Sequence, residues 1–235
     1  MTKKYFSMVL VSFMLLGLCA CKQKLPTDTY LDPLTEGTLY YNKATKTLQF
    51  NAIFNAKPAT DGAWHLIAHK DGKAGGSAVT PFSTDVTPHQ FYQGFLLLGA
   101  EAGNNVTITN MGDEGVFTQG SVLDISITWD GAGRKYALSE FMNEEIPDNS
   151  TLNEELSQEI RFGGNRATEP TSPQLSDGTG CVICQYTCPI GVASGAKADQ
   201  YIMKNHDHGK YRYLANAAVV PDDKTVCTIT VKVQK

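Results

Sequence analysis

The sequence has no surplus of basic residues, no apolar run of transmembrane length and none of the short signatures of hydrolytic or nucleotide chemistry. Twenty lysines and arginines stand against 24 aspartates and glutamates in 235 residues. That balance excludes the basic face a nucleic-acid binder turns to phosphates. Gly72-Lys73-Ala74-Gly75-Gly76-Ser77 misses the G-x4-G-K-[ST] spacing of a phosphate loop, and H-E-x-x-H, G-x-S-x-G and G-x-G-x-x-G are absent. An enzyme would have to be built from acids such as Asp124, Glu140 and Glu144, and their spacing recommends no reaction.

The apolar run that does occur, Tyr5 to Leu18, follows Lys3 and Lys4, is too short for a mature spanning helix and ends in small residues. It reads as an export signal covering residues 1–20. Twin arginines are missing from it, which implies export of an unfolded chain. Leu18-Cys19-Ala20-Cys21 resembles a bacterial lipobox, with a leucine three before and a small residue just before the cysteine to be acylated. Cys21 is therefore the expected lipidation site, and Cys19, preceded by Leu18, is the poorer fit. The alternative is a soluble secreted protein cut nearby. Without residues 1–20 the chain loses two lysines and no acid, leaving 18 basic against 24 acidic side chains. The expected partner of the N-terminus is a membrane, on the periplasmic side of the cell envelope, and Lys22 after Cys21 points to the outer one. No nucleic acid is expected, and a protein or redox partner stays unknown.

Residues 21–36, polar and proline-containing, suit a tether, and residues 37–235 read as a single domain. At 42% apolar and 19% charged residues the chain supports one sizeable core. Leu39-Tyr40-Tyr41, the turn Asn42–Thr45 and Leu48–Phe54 read as a hairpin, Trp64–His69 as a further strand, and Leu123, Ile125, Ile127 and Trp129 as one face of another. Thr87-Pro88-His89-Gln90 carries the marks of a helix start: a threonine N-cap, proline at the first helical position and a glutamine three after the cap. Phe91, Phe95 and Leu98 then share a face, and Gly99 ends the helix. A long loop around 143–180 is expected, then a short helix over Ala196–Lys204 and closing strands over Tyr211–Val220 and Thr225–Val233. The fold class these predict is α+β and strand-rich, with antiparallel sheets, isolated short helices and a cysteine-containing loop.

Three cysteines lie within eight residues, Cys181, Cys184 and Cys188, as C-x2-C-x3-C followed by Pro189. They reproduce the last three ligands and the proline of the bacterial four-iron motif C-x2-C-x2-C-x3-C-P, but the first position is Gly178. An iron-sulfur cluster would need a fourth ligand from elsewhere and assembly outside the cytoplasm. One mononuclear ion asks for less, since C-x2-C lets two thiolates reach it and zinc or a soft copper ion accepts sulfur. Close cysteines in an oxidising compartment also pair, so a structural disulfide is the rival. A cycling redox thiol fits less well, because Val182 and Ile183 separate the first pair and no helix start is signalled there. Cys227 shares a strand face with Ile229, Val231 and Val233 and reads as a core cysteine. His65 and His69 lie on one strand face roughly 13 Å apart, too far to hold one ion together. His206 and His208 fall in a polar turn, and His89 belongs to a first helical turn.

The stretches "GKAGGSAVTPFSTDV", "FLLLGAEAGNNVT", "ISITWDG", "RFGGN", "TGCVICQYTCPIGVASG" and "VVPDDKTVCTITVKV" resemble the YdjY-like family of exported bacterial proteins, often labelled ferredoxin-like. The resemblance implies an exported protein with a three-cysteine knuckle and no established role. It also gives His65 the place of the family's strand histidine, and so the place of a fourth ligand beside Cys181, Cys184 and Cys188. The function expected is metal handling, or electron transfer if the ion is iron. The alternative is a non-enzymatic binding or scaffolding module whose knuckle is a disulfide.

Overall fold

Along Thr47–Phe54 every second side chain, Leu48, Phe50, Ala52 and Phe54, is buried, while Asn51 and Ile53 between them are exposed. Cys227, Ile229, Val231 and Val233 repeat this over Val226–Val233, and Leu123, Ile125 and Ile127 do so over Val122–Trp129. Three strands with the same period bury one common face, and the wall they form curves round that face.

The computed structural model describes residues 32–35, 38–73, 80–145, 153–155, 159–165, 178–197 and 212–234. In chain order the elements are β1 (Asp32–Thr35), β2 (Leu39–Asn42), β3 (Thr47–Phe54), α1 (Ala56–Asp61), β4 (His65–His69), β5 (Phe82–Thr84), α2 (Pro88–Leu97), β6 (Val122–Trp129), β7 (Tyr136–Ala137), α3 (Leu138–Phe141), β8 (Met142–Glu145), β9 (Asn153–Glu155), β10 (Ile160–Arg161), β11 (Cys181–Cys184), β12 (Ala193–Gly195), β13 (Arg212–Ala215) and β14 (Val226–Val233). The ladder β3-β14-β6-β10-β12-β11-β4-β5 returns to its start because β5 pairs with β3, Phe82 opposite Phe54. The protein is thus a closed eight-stranded barrel. Strands β2 and then β1 extend it from β3, and β7 lies beside β6.

This corrects the expected fold class. The structure is not α+β with open antiparallel sheets, since the helices it names among the described residues, α1 to α3, are short and its main sheet has no edge between β3 and β5. Two neighbouring pairs of the ring, β11–β12 and β4–β5, are parallel. Closure depends on strands of two to four residues, β5, β10, β11 and β12, too short for alternation to show in a sequence. The cysteine segment corrects the expectation too: Cys181–Cys184 is a strand of the barrel wall, not a loop.

The barrel is filled by aromatic side chains, as an interior of eight strands requires. Phe54, Phe82 and Phe141 meet pairwise with centroids 5.4 to 5.7 Å apart. Helix α2 lays Phe91 edge-on against Phe50 at 5.8 Å and Phe95 against Phe162 at 5.0 Å. The helix begins where the sequence places it: Thr87 Oγ1 accepts from Gln90 N, and Gln90 Oε1 accepts from Thr87 N at 2.9 Å. Within the stretch read as one long loop the described residues include β8, β9 and β10, and the predicted strand over Tyr211–Val220 is confined to β13.

A separate sheet of order β13-β8-β9 packs on the cysteine segment. Tyr213 of β13 meets Tyr186 edge-on at 4.8 Å, and Lys197 Nζ lies 2.9 Å from the buried carboxylate of Glu144. No helix among the described residues is long and apolar enough to cross a membrane. Cys21, His206 and His208 and most of the expected helix at 196–204 lie outside the described residues.

Candidate metal centre

Two positions three apart on a regular strand point to opposite faces, so Cys181 and Cys184 should not meet. They do, because the β4–β11 ladder is irregular on both sides of Ile183. Cys181 stands opposite Ala68, Ile183 opposite Ile67 and Cys184 opposite His65, one step lost and one gained along the way. Such irregularities re-aim side chains. The result is that a nitrogen of His65 and the Sγ atoms of Cys181 and Cys184 all lie within 4.8 Å of one another. His65 Nδ1 is 3.2 Å from Cys181 Sγ.

Cys184 neighbours both of the other thiols, near enough for Cys181 and Cys188 each to shift its ionisation. It also donates to the Trp64 carbonyl at 3.4 Å. Cys188 accepts from the Ile190 N–H at 3.3 Å, and its own carbonyl accepts from Asn165 Nδ2 at 2.6 Å. All three cysteines are free thiols with no exposed surface. Of the four ligands expected from the sequence, then, three form one group and Cys188 adjoins it through Cys184. His69 stands at the far end of β4 with its Nδ1 accepting from Asp71 N, so the separation of the two histidines is as expected. Cys227 is in the core across the ring, on β14.

Electrostatics disfavour charge on Cys184, Cys188 and His65. Burial pushes the Cys184 thiol well above the usual thiol range, and the neighbouring thiol of Cys184, with burial, does the same to Cys188. Burial also holds the His65 imidazole below its ordinary value. A dry pocket disfavours charge of either sign. A bound cation inverts that logic, because it displaces the thiol protons and takes the thiolates as ligands.

Two residues that position the knuckle escape a cysteine-and-histidine search. Asn165 holds the Cys188 backbone, and its trace in the sequence is the family-like stretch RFGGN, which it ends. At Gly191 a Cβ would lie 2.8 Å from the Ala193 carbonyl and 3.1 Å from Cys184 Cβ, so only glycine lets this backbone come so close to the thiol row. Of Gly178, Gly180, Gly191 and Gly195 around the motif, only Gly180 has a positive φ, +73°.

The YdjY domain family matches residues 39–232, which include β4, β11 and every cysteine discussed above except Cys21 and Cys19. A curated relative, "Uncharacterized protein YdjY" of Escherichia coli (strain K12), is 31% identical over 189 residues, 80% of this chain and 74% of that protein. No solved structure is significantly similar.

Proposed function

This chain belongs to the YdjY family, and from that premise we propose that it is a lipid-anchored protein of the bacterial cell envelope that holds one thiophilic metal ion between His65, Cys181 and Cys184. The observation that carries the proposal is the meeting of one imidazole and two thiols within 4.8 Å across two strands whose register must be broken to allow it. Ligands at zinc stand roughly 3.3 to 3.8 Å from one another, given bonds of about 2.0 Å to nitrogen and 2.3 Å to sulfur in a tetrahedron. The group is therefore near the size of a single ion. The ligands of an iron-sulfur cluster are spread around several iron atoms, which favours a mononuclear centre over the cluster that the C-x3-C-P spacing invites.

Charge narrows the choice of ion. Two thiolates and a neutral imidazole exactly neutralise a divalent cation, and a neutral complex suits a site with no water-exposed sulfur. A monovalent copper ion would leave one negative charge buried. Zinc, or another divalent ion of similar softness, is thus preferred. Cys188 stays a neighbouring thiol, since a third thiolate would leave one negative charge buried. The role is metal handling in the envelope, with Cys21 as anchor.

The test is the protein isolated from the periplasmic fraction without air, with metal content, visible absorbance and free thiols measured on one sample. One equivalent of zinc, with its thiols titratable only after chelation, is the expected result. Metal-free protein with fewer free thiols sinks the proposal. The second outcome is the disulfide-stapled scaffold, for which Cys184, next to both Cys181 and Cys188, is the central thiol.

A further inference from the structure

On the opposite wall of the barrel from the cysteines, four strands round the ring, the outer faces of β3, β14 and β6 form the floor of an open cleft of about 560 Å³. Strand β7 and helix α3 wall it through Ala137, Leu138 and Ser139. The volume is in the range of small-molecule sites.

The floor holds a polar group that the fold leaves unanswered. Gln49 points outward from β3 but is only 5% exposed. Its Nε2 donates to Thr230 Oγ1 at 3.3 Å, while Oε1 is buried with no hydrogen-bond partner among the described residues. Buried amide atoms are almost always paired. Turning the amide round exchanges which atom is left over, and a ligand hydroxyl, donor and acceptor at once, satisfies either arrangement.

The charges in the cleft are unevenly engaged. Asp124 accepts from Gln234 Nε2 at 2.5 Å, and Glu159 accepts from Arg161 Nε at 2.9 Å. Lys135 and Lys232, which line the same cleft, form no ion pair with any described acid. The two carboxylates thus have hydrogen-bond partners within the protein, whereas neither ammonium group has an acid within ion-pair distance, although Lys232 stands opposite Asp124 across the β14–β6 ladder. Both lysines are exposed, whereas Gln49, in the same cleft lining, is buried.

We propose that this cleft binds a hydroxylated carboxylic acid of disaccharide size, its carboxylate received by Lys135 and Lys232 and one of its hydroxyls by Gln49. The proposal is independent of the metal centre, shares no residue with it and stands if that centre fails.

Isothermal titration of the purified protein with lactobionate, its uncharged counterpart lactitol, and hexanoate tests it. Lactobionate is expected to bind one to one, with lactitol and hexanoate each at least about tenfold weaker, since each lacks one of the two recognised groups. Lys232→Gln should reduce lactobionate to the level of lactitol. Gln49→Leu should weaken lactobionate and lactitol alike. Amide shifts in a nitrogen-15 spectrum should cluster at Gln49, Thr230 and Lys232. No saturable binding, equal affinity for acid and polyol, or affinity unmoved by Lys232→Gln overturns the proposal. Because Lys232 is exposed, its variant stays folded even if Gln49→Leu does not.

Discussion

His65 Nδ1 and Cys181 Sγ lie 3.2 Å apart although 116 residues separate them in the chain. They meet because β4 and β11 are neighbours in the barrel wall, and because the ladder between them slips in two places. A contact that depends on broken register is not a by-product of regular pairing, and it is the reason to test these side chains individually.

Removing donors should grade metal affinity by their place in the cluster. Cys181→Ser, Cys184→Ser and His65→Ala should each lower zinc affinity at least about a hundredfold, about 2.7 kcal/mol, since each deletes a ligand of the proposed centre. Cys188→Ser should cost less, and competition with a chromogenic chelator measures all four. Equal affinities across the set would remove the cluster from the argument.

Cys227 provides the contrast. Burial pushes its thiol up to about 12, and its only contact of note is a long one of 3.9 Å to the Thr225 carbonyl. In the folded protein it should resist iodoacetamide at pH 8, and Cys227→Ala should keep the full metal content. Rapid alkylation of Cys227 under native conditions would contradict the burial described.

Stability of the metal-free protein should fall with acid through His65. Its folded-state pKa lies below the ordinary 6.5 because of burial. As pH falls through about 6.5 the unfolded chain therefore gains a proton that the folded chain refuses, and stability declines from there downward. His65→Gln removes that titration, so its melting temperature should vary less between pH 7 and pH 5. Parallel curves for the two proteins would refute this.

Helix α2 gives a local test. Thr87→Ala deletes the side-chain half of a reciprocal cap and should cost about 1 kcal/mol, a fall of roughly 2–4 °C in melting temperature for a chain of this size. Phe91→Ala, at the edge-on contacts with Phe50 and Phe95, should cost about 3–5 kcal/mol. Thermal unfolding followed by circular dichroism ranks the two.

What the sequence made legible follows from length and period. The eight-residue strands β3, β6 and β14 alternate over enough positions to be read, and α2 announces itself through Thr87, Pro88 and Gln90. The barrel does not, because its closure passes through Phe82–Thr84 and Ile160–Arg161, pieces too short to have a period. Cys181, Cys184 and His65 were singled out by residue type and by likeness to the family. Their meeting was hidden, since the even-and-odd rule for strands puts Cys181 and Cys184 on opposite sides and only a slipped ladder reverses it. Gln49 was invisible for another reason: an outward polar residue on a strand is ordinary until a wall rises over it.

The seam that completes the ring is three residues of β5, held to β3 on one side and to β4 on the other, whereas β14 is bonded along eight. Opening of that short seam would release one side of β4, leaving it held by β11 alone, while the β3-β14-β6 wall stayed shut. Amide protons of Leu66 and Ala68 should then exchange with deuterium sooner than those of Ile229 and Val231. That short seam would then double as the doorway by which an ion reaches the sulfur atoms.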